Sequence, residues 1–84
     1  MMEDQATQEV TLLEGFDVAI LGYAERFGMS TSVCYDRDTV IDIIMKTRGV
    51  DRHMAEEHFT INILGGHFGD TTPVFVTIDP YLEH

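Results

Sequence analysis

The chain has 84 residues, 15 Asp and Glu against 5 Lys and Arg, a formal charge of −10 and a single cysteine. A domain of this length buries roughly 60% of the surface its unfolded chain exposes, so one small, well-filled core is all it can hold. The charge balance excludes direct nucleic-acid binding as a first reading, because that affinity depends on cations neutralising phosphates. Cys34 has no partner for an internal disulfide, and no apolar run reaches membrane-spanning length or resembles a signal peptide; the expected setting is a reducing cytoplasm, with no membrane partner.

Residues 1–10 are polar and acidic without periodicity, which predicts a loose terminus. Thr11-Leu12-Leu13-Glu14 has the spacing of a capping box, but Gly15 follows at once, so a single helical turn leading into Phe16 is expected. Residues 17–27 carry two periods. Leu12, Phe16, Ile20, Tyr23 and Phe27 fit a helical stripe, whereas Ala19, Leu21 and Tyr23 set against Ile20, Gly22 and Ala24 fit a strand buried on both faces. Gly22 costs a helix roughly 1 kcal/mol relative to Ala, and Gly28-Met29-Ser30 supplies turn chemistry ahead of a second β-rich run at 31–35. A β-hairpin is the better account.

Asp36 and Asp38 precede Val40, Ile41, Ile43, Ile44 and Met45, and either carboxylate can accept from the unpaired N–H groups of a first helical turn. This predicts a helix over 39–48, with Lys46 and Arg48 opposing the negative dipole end and Gly49 closing it in the left-handed conformation. Asp51 repeats the start signal. Met54, Ala55, Phe59 and Asn62 then fall three or four apart, which predicts a second helix running to about Ile63 with Asn62 partly buried and bonded to the glycine turn that follows. With only Gly49 and Val50 between them, the helices must turn back sharply on each other. The glycine-rich stretch 65–70 leads to Thr71-Thr72-Pro73, and the alternating run 74–78 is the best strand in the chain, stopped by Asp79-Pro80. Leu82-Glu83-His84 reads as the remnant of a histidine tag, leaving one domain over 1–81. The resulting class is α+β, in the order β-β-α-α-β: a small, mostly antiparallel sheet with a helix pair packed on one face.

Four motifs bear on chemistry. Asp36 and Asp38, after the apolar 32–35 segment, resemble over nine residues the first motif of haloacid-dehalogenase-type phosphotransferases, Asp-x-Asp-x-Thr/Val. That resemblance implies Asp36 as nucleophile and Asp38 as acid/base, but covalent phosphoryl transfer without a cation on the phosphate is implausible, and N-capping explains the pair more simply. His53 and His58 are five apart, on different helix faces, unlike the i, i+4 pair of a zinc helix; His53 with Glu57 reads as a surface ion pair. The 65–69 loop follows a helix and precedes a strand, the reverse of a phosphate cradle. Cys34 reads as a small core residue rather than a nucleophile. No enzyme, metal or cofactor is expected.

Gly15-Phe16-Asp17, Ala19-Ile20-Leu21-Gly22, Tyr35-Asp36, Ala55-Glu56-Glu57 with Phe59, Asn62-Ile63-Leu64-Gly65, and Gly69 with Thr72-Pro73-Val74-Phe75 together resemble a group of short acidic proteins encoded by tailed bacteriophages and prophages. The resemblance spans about residues 12–76 and implies a phage origin, hence the cytoplasm of a host cell, and no catalytic residues. The expected function is a non-enzymatic interaction module for a host or phage protein, in its sharper form an acidic inhibitor mimicking nucleic-acid charge. Asn62, His67, Phe68, Asp70 and Tyr81 are its candidate contacts. The alternative is a small-ligand or nucleotide binder using the 65–69 loop and Asn62. A homodimer through an exposed third strand stays open beside both.

Overall fold

The computed structural model describes residues 10–66 and 69–82. The order is a short 3₁₀ turn (Asp17–Ala19), β1 (Ile20–Ala24), β2 (Ser32–Asp36), α1 (Arg37–Arg48), α2 (Arg52–His58), a π-helical segment (Phe59–Leu64), a second 3₁₀ turn (Gly69–Thr71) and β3 (Val74–Val76). The fold is α+β with the expected order of strands and helices.

The hairpin wins over the helical stripe because of Gly22. It lies at φ 151°, a conformation L side chains rarely adopt, beside a bulge that places Ile20 opposite Tyr35 but Gly22 opposite Cys34. The strand order is β1-β2-β3, with β1 antiparallel and β3 parallel to the central β2. The sheet is therefore mixed rather than mostly antiparallel, and β3 is shorter than the expected 74–78 run. The cause lies in the helix pair, which acts as a crossover. It returns the chain to the start of β2, where the Ser32 hydroxyl donates to the Asp70 carbonyl at 3.4 Å, so β3 sets out beside β2 in the same direction.

α1 starts two residues earlier than its pattern suggests. The Asp36 side chain makes no bond to the helix backbone; it accepts instead from the Thr39 hydroxyl at 2.8 Å, and Asp38 turns to Arg52. Backbone capping by these two aspartates is thus corrected: the hydroxyl and the guanidinium compete for them and win. The other signals act as expected. Gly49 takes φ 67° and donates to the Met45 carbonyl, and Asp51 accepts from the Met54 N–H at 2.9 Å.

Val33 and Tyr35 of β2 point to the same side of the sheet and are buried there against Val40, Ile41 and Ile44 of α1, with Ala55, Phe59 and Ala19 completing the core. Phe75 joins them from β3. Its ring lies 5.7 Å from that of Tyr35, stacked, and 5.0 Å from that of Phe59, edge-on, geometries the aromatic quadrupole favours. The Tyr35 hydroxyl accepts from the Leu13 N–H at 2.8 Å, tying the segment before β1 over the same core.

Candidate functional site

The regular α-helical period stops at Phe59. Through Leu64 the segment is π-helical, and the Gly65 N–H reaches back five residues to the Thr60 carbonyl. That wider turn rotates Asn62 off the Ala55–Phe59 face. Asn62 is exposed, and its amide nitrogen contacts the His58 carbonyl at 3.3 Å and ring Nδ1 at 3.1 Å. The expectation of a partly buried Asn62 bonded to the glycine turn is corrected by this geometry. His67 and Phe68 lie outside the described residues. Tyr81 is exposed, with its N–H donating to Asp79 Oδ1 at 2.9 Å.

Asp70 does take part in a site. A half-open cleft of about 360 Å³ lies between the hairpin loop and the 3₁₀ turn before β3. Ala24, Ser32 and Val74 form its floor, on the sheet face turned away from the helices; Glu25, Arg26 and Asp70 line its walls. Ser32 is only 7% exposed, although its chain neighbours on the hairpin loop are open to solvent. Neither Asn62 nor Tyr81 lines this cleft. Nothing in the sequence marks Ser32 or Arg26, because the cleft exists only once the crossover brings residue 70 to the start of β2.

Charge on the helical side is locally compensated. Arg52 donates from Nη2 to Asp38 at 2.9 Å and from Nε to Glu56 at 3.0 Å, while Arg37 stands 4.0 Å from Glu56 and 5.2 Å above the Phe59 ring. The bonds to Asp38 and then Glu56 hold the Arg52 guanidinium above its ordinary value. His53 forms no ion pair with Glu57; Glu56, not Glu57, is the acid these arginines use. Among the described residues no cluster of metal-ligating side chains occurs, and no helix is long and apolar enough to cross a membrane. Cys34 is half-buried on the face away from the helices and is not a core residue.

Exposed apolar side chains occur along much of the chain, Met54, Ile61 and Leu64 on the helical side and Ile78 and Tyr81 after β3 among them. Val18, Leu21, Tyr23 and Phe27 are exposed in succession along the 3₁₀ turn, the edge strand β1 and its loop, Tyr23 at 72% and Phe27 fully. Tyr23 faces Val33 across the hairpin, yet Val33 is covered and Tyr23 is not, so the helices stop short of this end of the sheet. Both aromatics belong to the periodicity that the sequence offers for burial; only the reach of the helices tells that they stay outside.

Comparison with protein-family models, curated proteins and solved structures finds no match for this chain.

Proposed function

We propose that this chain is a non-enzymatic interaction module of phage type that binds a host or phage protein through the exposed side chains of the β1 edge. The observation that carries the reading is the run of exposed apolar side chains along one edge of the sheet, Val18, Leu21, Tyr23 and Phe27, two of them aromatic and almost wholly outside the core. Tyrosine and phenylalanine supply large, stiff contact area at low entropic cost, the usual anchors of a protein interface. Strand addition is not the mode. The bulge at Leu21 disrupts the outer ladder of β1, and the opposite edge, β3, is a 3-residue strand preceded by Pro73.

The partner's chemistry follows from charge. With −10 on the chain and Arg37 and Arg52 drawn to its own carboxylates, the complementary surface is apolar at its centre and basic at its rim. A second copy would bring another −10 to the contact, which favours a different protein over a homodimer. Inhibition by mimicry of nucleic-acid charge is the sharper form, in which the basic rim is a nucleic-acid groove. Capture from bacterial lysate at low and high salt tests the reading, with Tyr23→Ser/Phe27→Ser run in parallel. A partner held by the native chain, weakened by salt and lost with the double substitution, is expected; equal capture by both proteins would overturn the assignment of the surface.

A further inference from the structure

The cleft between the hairpin loop and the Gly69–Thr71 turn is not used by the protein contact described above, and its lining specifies a ligand of its own. We propose that it binds a small organic cation, an ammonium group carried on a short hydrocarbon body. The volume, about 360 Å³, suits a small molecule. Ala24, Met29 and Val74 give an apolar lining on the sheet face that no helix covers.

The polar groups are mostly acceptors. The hydroxyl of Ser32, a residue 7% exposed, donates its proton to the Asp70 carbonyl over a long 3.4 Å and makes no other hydrogen bond among the described residues, so its oxygen can accept from a donor outside. Glu25 and Asp70 line the walls as carboxylates, against the single guanidinium of Arg26, which forms no ion pair among the described residues. The lining thus carries a net negative charge inside a chain of −10, a field that concentrates cations and repels anions. An ammonium offers three donors and no acceptor, which matches this set; the hydrocarbon covers Met29 and Val74, which the open cleft leaves to water.

Hexylamine is the test probe, titrated at neutral pH into the ¹⁵N-labelled full chain at constant ionic strength, with hexanol, hexanoate and ammonium chloride as separate arms. The expected result is saturable shifts confined to the amides of Ala24, Ser32, Gly69 and Val74. Apparent affinity should be at least fivefold weaker for the three comparison probes, and should fall at least fivefold in Glu25→Gln/Asp70→Asn, whose changes lie on exposed residues. Hexanol or hexanoate binding as well as hexylamine would overturn the cation assignment. Shifts spread over the acidic surface, matched by ammonium chloride, would show a counterion atmosphere only and overturn the site, as would no shift at millimolar probe. None of these outcomes touches the Tyr23 and Phe27 surface, so the two readings stand or fall separately.

Discussion

Tyr35→Phe isolates one hydrogen bond at the centre of the fold. The tyrosine is fully buried, its ring stacks on Phe75, and its hydroxyl accepts from the Leu13 N–H at 2.8 Å. Phenylalanine keeps the ring and its contacts, so the loss is confined to the bond and to a donor left without its partner. A buried unsatisfied donor costs about 1–3 kcal/mol; because Leu13 is half-buried and water can reach part of it, about 1–2 kcal/mol is expected. For a domain of this size that is about 4–16 °C in Tm, or a fall of about 1 M in the urea midpoint with an unchanged slope. Amide exchange at Leu13 should accelerate well beyond the global change, since the segment before β1 is held by this contact. A shift under about 2 °C with Leu13 exchange unaltered would refute the reasoning, and would mean that the segment is positioned by Leu13 and Phe16 packing alone.

The remaining predictions concern the helix ends and the ion network. Asp51→Ala should lower stability by about 1 kcal/mol in urea unfolding, since Asp51 caps the Met54 N–H, whereas Asp36→Ala should cost less because it relinquishes only the bond from the Thr39 hydroxyl and none to the helix backbone. Gly49→Ala should cost about 1 kcal/mol, also by urea unfolding, for the left-handed conformation alone, because a Cβ there meets no neighbour. Arg52→Met should lower Tm more at low salt than at high salt, since its pairs with Asp38 and Glu56 are exposed. Between pH 5 and 9 the guanidinium side of this network should not titrate: its raised pKa means its contribution is present below the ordinary arginine value and is lost only above it.

Residues whose local chemistry is self-contained were legible in sequence. Gly22 and the Gly28-Met29-Ser30 turn announce the hairpin, Gly49 the end of α1, and Asp51 the start of α2, because each acts on backbone within a few positions. What failed depended on something distant or on an assumed period. Counting 3.6 residues per turn puts Asn62 on the Ala55–Phe59 face, but the segment is π-helical from Phe59 and the count loses its meaning there. The direction of β3 depends on where a helix crossover returns the chain, which the Ser32–Asp70 contact fixes and local propensity does not encode. Asp36 and Asp38 carried the right signal for a helix start, yet their side chains found Thr39 and Arg52 instead of the backbone. Of the candidate contacts among the described residues, Asn62 and Tyr81 do not line the cleft and Asp70 does, through a meeting of the hairpin loop and residue 70 that no spacing rule anticipates.

The claim on which the functional account depends is that the β1 edge is a contact surface for another protein. A photo-activatable cross-linker placed at Phe27, and in a parallel protein at the exposed Lys46 of α1, tests it in bacterial cells expressing each form. The account predicts a discrete heterologous adduct from position 27 and none from position 46. Adducts of equal yield from both positions, or adducts of position 27 only with a second copy of the chain, would contradict it.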